Sequence, residues 1–227
     1  MIETAAWDSD CFGWRAGKIP HPRMIPTASE LAGFDHVLVR LPSSESGLLK
    51  EYQGLGFAFV TMDYVIEKSS GSEPAGSDFP VLRIEKSCPT FVVQDFQVEG
   101  SRFSLDPAVR QRMPDRFWDR MIVEHCERYA DFCLCVLGEN NDLQGFASCF
   151  ERSNWIEIFL LAVHPLATGR GIGGKLLRAA NSVAATAGKQ LVTNVVAQNI
   201  RGLRFYFRSG FLPVSAEIVL HYTREPK

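Results

Sequence analysis

The sequence has no long apolar run and almost no net charge. No stretch approaches the ~20 apolar residues that a membrane-spanning helix needs, and residues 1–8 lack the basic and apolar regions of a secretory leader. The formal net charge is -2, from 24 Lys plus Arg against 26 Asp plus Glu, which excludes a nucleic-acid binder that works by bulk positive charge. We therefore expect a cytoplasmic protein whose partners include neither a membrane nor a nucleic acid.

Cysteine pairs at metal-ligand spacing are also missing. The 6 cysteines form no Cys-x-x-Cys motif, and of the 5 histidines only His125 adjoins a cysteine. A zinc site needs clustered His and Cys, so we expect no metal. Cys133 and Cys135 lie two apart in an apolar run, which places both on one face of a strand. We expect free, buried thiols.

The composition is that of a folded protein, except in one segment that has almost no apolar residues. The 227 residues are 46% hydrophobic, which suits one or two domains with their own cores. Residues 68–78 combine Ser, Gly, Pro and charge with almost nothing apolar, which is typical of a linker. We predict an N-terminal domain over residues 1–67 and a larger one over residues 79–227.

The larger part alternates strand-like and helix-like segments. The patterns predict helices at residues 89–96, at 114–129, from the glycine run to Gly188, and at 200–208. They predict strands at residues 81–84, 131–137, 143–151, 155–163, 191–196 and 211–222. Antiparallel strands followed by a strand–helix–strand unit predict an α/β fold with a mixed sheet.

An internal repeat links the two parts. Residues 49–57 and 203–211 both read Leu-x-x-Tyr-x-x-x-Gly-Phe, and each is followed at the same distance by a strand-like segment. The N-terminal part is therefore interpreted as a degenerate half-copy of the C-terminal unit. Tyr52 has no glycine loop near it, so we expect it to be structural.

A glycine-rich loop stands between a buried strand and an amphipathic helix. Residues 168–174 read Thr-Gly-Arg-Gly-Ile-Gly-Gly. Such a loop lets backbone N–H groups approach an anion, and the helix start adds partial positive charge. A P-loop is excluded because Lys175 is followed by Leu176 and not by Ser or Thr. A dinucleotide fold is disfavoured because no acidic residue lies ~20 positions further on.

The charge is unevenly distributed, and the basic part contains this loop. Residues 164–227 carry nine Lys or Arg and two acids, whereas the other residues carry 15 basic and 24 acidic side chains. A polyanionic ligand suits such a field.

Two motifs resemble the cofactor motifs of the GCN5-related N-acetyltransferase (GNAT) superfamily, which acetylates amines with acetyl-CoA. They are residues 163–173, Val-x-Pro-x-x-Thr-Gly-Arg-Gly-Ile-Gly, and residues 199–211, Asn-x-x-x-Leu-x-x-Tyr-x-x-x-Gly-Phe. The resemblance implies a GNAT fold preceded by a smaller, degenerate GNAT-like α/β domain, with acetyl-CoA as co-substrate. Thr168 departs from the usual Gln or Arg, which removes a side-chain contact and leaves the backbone loop.

The resemblance also implies roles for single residues. Tyr206 matches the tyrosine that protonates the CoA thiolate, with a merely packed aromatic ring as the alternative. Glu157 stands where many members carry the base, with a water chain as the alternative. Arg102 and Phe103 fall in the region of the acceptor pocket, in a loop before a helix. Contacts with acetyl-CoA are implied for Leu161, Ala162, Val163, Thr168, Gly169, Arg170, Gly171, Ile172, Gly173, Gly174, Asn199 and Arg204.

A narrower resemblance concerns the acceptor. Residues 7–13, 55–57 and 101–103 are similar to the dTDP-fucosamine acetyltransferase family, which implies a nucleotide-linked amino sugar, with Arg102 pairing to its phosphate. Two alternatives stay open: another amine, such as an amino acid, polyamine, antibiotic or protein N-terminus, and a non-catalytic acyl-CoA-binding domain. The resemblance allows a homodimer.

Overall fold

The computed structural model describes residues 2–68, 81–98 and 100–224. The predicted linker at residues 68–78 lies outside the described residues apart from Lys68, which ends a strand. No described helix combines the length and the apolar character needed to cross a bilayer.

The described residues form one 10-stranded sheet with helices on both faces. Its strands are β1 (Glu3–Thr4), β2 (Ala16–Ile19), β3 (His36–Pro42), β4 (Ala58–Lys68), β5 (Leu82–Ile84), β6 (Phe132–Leu137), β7 (Leu143–Glu151), β8 (Trp155–Val163), β9 (Gln190–Val196) and β10 (Leu212–Thr223). The helices are α1 (Ala6–Phe12), α2 (Ala28–Leu31), α3 (Ser46–Gly54), α4 (Arg102–Leu105), α5 (Pro107–Arg110), α6 (Phe117–Glu124), α7 (Ile172–Thr186) and α8 (Ile200–Arg208). The π-helical turn His125–Tyr129 continues α6, and a 3₁₀ turn, Pro165–Ala167, precedes α7.

Most elements predicted for the C-terminal part are confirmed, and one helix is wrong. Residues 89–96 have no helix, and Val92 forms a parallel bridge with the turn after β6. The N–H groups of Asp95 and Phe96 donate to the carboxylate of Asp119 at 3.0 and 2.9 Å. A partner on α6 thus takes the hydrogen bonds that a helix would have needed, and propensity gives way to tertiary contact.

The internal repeat corresponds to a twofold relation within the sheet. The strand order is β1-β2-β3-β10-β4-β9-β8-β7-β6-β5, so β10 pairs with β3 as β4 pairs with β9. Arg40 lies opposite Val219, and Asn194 lies opposite Val65. The sequence offset that aligns α3 with α8 also aligns Arg40 with Asn194 and Val65 with Val219.

Each half therefore gives its last strand to the other half. Strand β4 lies between β10 and β9, inside the C-terminal part of the sheet. The mixed sheet is confirmed, since β8 and β9 are parallel and most other pairs are antiparallel. A separate N-terminal domain is not confirmed, and the division at residues 67 and 79 stays a prediction.

The alternation of side chains along β6 separates two cores. Cys133 and Cys135 pack on one face, called the front, with the aromatic side chains of α1, α4 and α6. Phe132 and Leu134 pack on the back, with α7 and α8. All six cysteines are free, and all but Cys88 are buried, as expected.

Candidate active site

Strands β8 and β9 part in the middle of the sheet. Within the described chain, their parallel pairing runs from Trp155 to Ile158 and ends there. The register of β8 with β7 shifts between Ile158 and Leu160, so Phe159 is the extra residue of a β-bulge. Beyond it, β8 stays with β7 whereas β9 stays with β4. The parting leaves a gap between β8 and β9, called the cleft.

Backbone donors on β8 point into this cleft. The N–H of His164 donates to the carbonyl of Gln144, on the β7 side, at 2.9 Å. Successive amides of a strand point to opposite edges, so the N–H groups of Leu161 and Val163 point away from β7. The resemblance implied acetyl-CoA contacts at Leu161, Ala162 and Val163, and the N–H groups that face the cleft belong to Leu161 and Val163.

Tyr206 lies where the two strands part. Its ring is 7% exposed and packs edge-on against Phe205 and Phe211. Its hydroxyl lies beside Thr193, whose Oγ1 donates to the carbonyl of Ile158 at 2.8 Å. Burial raises the pKa of Tyr206, so the phenol is protonated at neutral pH and can donate.

The glycine loop follows β8 and opens α7. Gly169 and Gly171 have φ values of +84° and +74°, and a Cβ at either would meet open space. The first-turn N–H groups of Ile172, Gly173 and Gly174 have no acceptor inside the helix. The loop is therefore a side-chain-free, open cradle of donors, which fits the phosphates of acetyl-CoA.

Helix α8 lies beside the start of α7. The ring of Phe205 lies 3.4 Å from the position of a Cβ on Gly173. Asn199 Oδ1 accepts from the N–H of Gly202 at 2.8 Å and thereby caps α8. Arg204 is exposed on this helix. The two predicted cofactor motifs are thus adjacent in space.

The polar side chains of the glycine loop are on the surface. Thr168 and Arg170 are both exposed, and the Thr168 hydroxyl donates to the carbonyl of His164 at 3.5 Å. Neither side chain is required to hold the fold, so both are available to a ligand.

Glu157 lies on the front face, just before the bulge. Its side chain is 23% exposed, and the guanidinium of Arg152 lies 3.4 Å away. Trp155 and Phe159, two positions away on either side, are both exposed. The carboxylate is accessible from the side opposite to the helices α7 and α8.

Arg102 and Phe103 occupy a short helix rather than the expected loop. Ser101 caps α4 by accepting from the N–H of Ser104 at 3.2 Å. One Arg102 nitrogen donates to both carboxylate oxygens of Asp8 at 3.0 Å. Phe103 is 4% exposed within the front core. The charge of Arg102 is thus balanced from within the chain.

Sequence reasoning missed a charged cluster on the front face. Asp63 and Glu217 are opposite each other on β4 and β10, and Arg40 donates to Asp63 at 3.1 Å and lies 3.8 Å from Glu217. These three residues are called the Arg40 cluster. Burial raises the pKa of both carboxyls, and the charge of Glu157 adds to the rise at Glu217. The repeat could have revealed it, because it aligns an acid in one half with an acid in the other.

One described group of side chains has metal-ligand spacing. Ligand atoms of His36, Asp106 and His221 lie within 4.8 Å of one another. Asp106 already accepts from His221 Nδ1 at 2.6 Å and from the N–H of Ala108 at 2.8 Å. These bonds attach α5 to β10, which is a structural role.

A family model and several solved structures are similar to this chain. The model, described as the acetyltransferase (GNAT) family, matches residues 95–211. A GCN5-related N-acetyltransferase from Sphaerobacter thermophilus is 17% identical, with a TM-score of 0.54, over 84% of this chain and 60% of that one. A tandem GNAT protein from the clavulanic acid biosynthesis pathway is 14% identical, with a TM-score of 0.56, over 93% of this chain and 76% of that one.

A third solved structure is similar to most of this chain. A GCN5-related N-acetyltransferase from Kribbella flavida is 11% identical, with a TM-score of 0.54, over 92% of this chain and 82% of that one. At such identities the structures show a shared fold alone. No curated protein matches the sequence. The chain spans 60% of the length of the Sphaerobacter protein.

Proposed function

Since the chain belongs to the GNAT family of acetyltransferases, we propose that it transfers acetyl from acetyl-CoA to a primary amine. The observation that carries the proposal is the parting of β8 and β9 beside Tyr206, with the glycine loop at the end of β8. A thioester held in the cleft would meet backbone donors on one side and a phenol on the other.

The residues of two adjacent segments would hold acetyl-CoA, which supplies an activated acetyl group as a thioester. The loop at residues 168–174 offers backbone N–H groups to the phosphates, and Arg170 and Arg204 offer exposed positive charge. Asn199 is occupied as a helix cap through Oδ1, so its amide nitrogen is the group free to bind.

The chain then supplies three groups to the reaction. The N–H groups of Leu161 and Val163 donate to the thioester carbonyl oxygen, which gains negative charge as the amine attacks. Glu157 accepts a proton from the amine on the front side. Tyr206 donates its proton to the departing sulfur, because its raised pKa keeps the phenol protonated until then.

The proposed acceptor is a nucleotide-linked amino sugar. Its support is the likeness of residues 7–13 and 101–103 to a family that uses such sugars, and these segments meet through the Asp8–Arg102 pair. If Arg102 also contacts an acceptor phosphate, Arg102→Ala raises KM for the acceptor far more than KM for acetyl-CoA. Equal effects on both would contradict this contact.

A second candidate is an acceptor amine without phosphate. The pairing of Arg102 with Asp8 favours it, because Arg102 is 13% exposed and its charge is balanced. A screen of nucleotide-linked amino sugars against glucosamine, amino acids and polyamines, read by thiol release, distinguishes the two candidates.

The same assay tests catalysis itself. Calorimetry with acetyl-CoA comes first, and release of CoA is then measured with and without acceptor. Binding with acceptor-dependent release supports the proposal, whereas binding without release under every acceptor indicates a binding module. Free thiols throughout the chain are typical of a reducing compartment, which supports the proposal of a cytoplasmic enzyme.

A further inference from the structure

The Arg40 cluster lies where the two halves of the sheet meet, on the front face. Arg40 comes from β3, Asp63 from β4 and Glu217 from β10. Their side chains are 34%, 4% and 31% exposed. The cluster is thus built from both halves and is open on one side, with its deepest carboxylate beneath.

Two polar atoms of the cluster have no hydrogen-bond partner. Asp63 Oδ1 is buried and unpartnered, and Arg40 Nε is buried with Glu217 Oε2 at 3.8 Å, which is beyond hydrogen-bond distance. A buried carboxylate oxygen without a donor is costly and uncommon. One unfilled acceptor and one unfilled donor therefore lie in the same cluster.

The charge of the cluster is negative. Two carboxylates share the single guanidinium of Arg40. The negative charge of Glu157 lies close enough to raise the pKa of Glu217. The positive charge of Arg102 lowers the pKa of Asp63, but Arg102 is paired with Asp8. A cation is the ligand that this arrangement favours.

The cluster is level with the cleft. Val196 lies opposite Asp63, on the stretch of β9 that has already left β8. Since neighbouring strands lie about 5 Å apart, Asp63 is one strand and Glu217 two strands from the edge of the cleft. The cluster and Glu157 lie on the same face, which is the side away from the glycine loop.

We propose that the Arg40 cluster binds the ammonium group of the incoming acceptor, with Glu217 and Asp63 accepting its N–H bonds and Arg40 Nε donating to a neighbouring hydroxyl. The proposal rests on the proposed function and adds that the N-terminal half supplies two of the three residues. The ligand class is an organic ammonium that carries a hydroxyl beside the nitrogen.

Glucosamine and glucose provide a matched pair of probes, because they differ in an ammonium against a hydroxyl. Binding of each to the protein saturated with CoA is measured by ligand-observed NMR. We expect glucosamine to bind at least 10-fold more tightly than glucose, which corresponds to about 1.4 kcal/mol. Equal binding of the two sugars, including no detectable binding of either, would overturn the proposal.

Variants assign the preference to these residues. Glu217→Gln is expected to remove the preference, and Asp63→Asn to reduce it. Glu151→Gln is the control, because Glu151 is an exposed strand carboxylate paired with Lys189, and it should keep the preference. A preference that survives in Glu217→Gln would contradict the proposal.

Acetyl-CoA binding, measured by calorimetry on each variant, keeps this test separate from the proposed function. Unchanged acetyl-CoA binding in Glu217→Gln shows that the variant is folded and that a lost preference is local. If the unaltered protein binds no acetyl-CoA, the proposed function fails. If it binds acetyl-CoA and shows no preference for glucosamine, only the ammonium site fails.

Discussion

Asp63 and Glu217 lie opposite each other on adjacent strands, and the sequence offset between them is the one that relates Tyr52 to Tyr206. The twofold relation of the sheet therefore passes between these two acids. The halves differ in their helices: β8 leads into the glycine loop and the 15-residue α7, whereas β2 leads into the 4-residue α2. Among the described residues, the open glycine loop at the start of a long helix occurs in the C-terminal half alone.

Removing the Tyr206 hydroxyl should slow the chemical step. Tyr206→Phe is expected to lower kcat by about 10²-fold or more, as removal of a general acid does, with little change in acetyl-CoA binding. The assay is thiol release with the acceptor found by the screen, beside calorimetry with acetyl-CoA.

The repeat supplies the matched control for this variant. Tyr52 is fully buried and donates to the carbonyl of Pro22 at 3.0 Å, and burial raises its pKa to about 12. Tyr52→Phe should cost about 1 kcal/mol of stability and leave kcat unchanged. Full kcat in Tyr206→Phe would make the acid assignment wrong.

Alanine variants at the two ends of α7 distinguish the effect of backbone strain on stability from the effect on ligand binding. Gly171 directly precedes the helix at φ +74°, Gly188 follows its end at φ +65°, and a Cβ at either would meet open space. Alanine in this left-handed conformation costs about 1–2 kcal/mol, so both variants should lose similar stability.

Only one of these variants should bind acetyl-CoA less tightly. A methyl group on Gly171 would stand in the open cradle beside the first-turn N–H groups, whereas one on Gly188 is at the far end of the helix. Calorimetry should show weaker acetyl-CoA binding by about 10-fold or more for Gly171→Ala alone. Equal affinities in the two variants would mean that the phosphates do not bind at this loop.

The Asp8–Arg102 pair should contribute to stability across the two parts of the chain. Both side chains are largely buried, at 7% and 13% exposure. Removing one partner of a buried pair leaves an unpaired charge and costs about 3–5 kcal/mol. Arg102→Ala should therefore lower the free energy of unfolding in urea by that amount.

A double-mutant cycle isolates the pair. The double variant Asp8→Ala, Arg102→Ala should lose much less stability than the sum of the losses in the two single variants. Each single variant leaves the other charge buried without a partner, whereas the double variant does not. Strictly additive losses would show that the two residues act independently.

Local patterns in the sequence were enough for most elements of the C-terminal part, but not for residues 89–96 or for the short helices α4 and α5. The apolar run at residues 155–163 and the glycines before α7 each specify their element through nearby residues, and both elements are confirmed. The repeat predicted that α3 and β4 match α8 and β10. Nothing local indicated that β4 would insert between β10 and β9, because that depends on pairing with strands distant in sequence.

The Arg40 cluster was not predicted for the same reason. Asp63 and Glu217 are remote in sequence, and each alone is an ordinary strand carboxylate. They come together only because the two halves exchange their last strands. Arg102, read alone, indicates a free cation for a phosphate. Its partner Asp8 is far away in the sequence, where no spacing rule connects the two residues.

Three buried histidines, His36, His125 and His221, have lowered pKa values and should make the protein less stable in acid. Burial lowers the pKa of His36 to about 3 and that of His125 to about 4, from an ordinary value near 6.5. Between those values and pH 6.5, the unfolded chain binds protons that the folded chain does not. Each histidine therefore lowers the free energy of unfolding by up to about 1.4 kcal/mol per pH unit as the pH falls through this window.

Replacing His125 by Phe tests this dependence. His125 packs among the aromatic rings of Trp7, Tyr129, Phe150 and Phe159, and its Nδ1 is buried without a partner. His125→Phe keeps an aromatic ring there and removes one titrating group, so stability at pH 7 should change little. Urea unfolding from pH 7 to pH 4.5 should then show that the free energy of unfolding changes less steeply with pH, by about one proton. The part of the pH dependence that is due to His36 and His221 should be retained. The carboxyls that titrate in this range are the same in both proteins and cancel in the comparison. Parallel stability curves would mean that His125 is protonated in the folded chain, which its burial opposes.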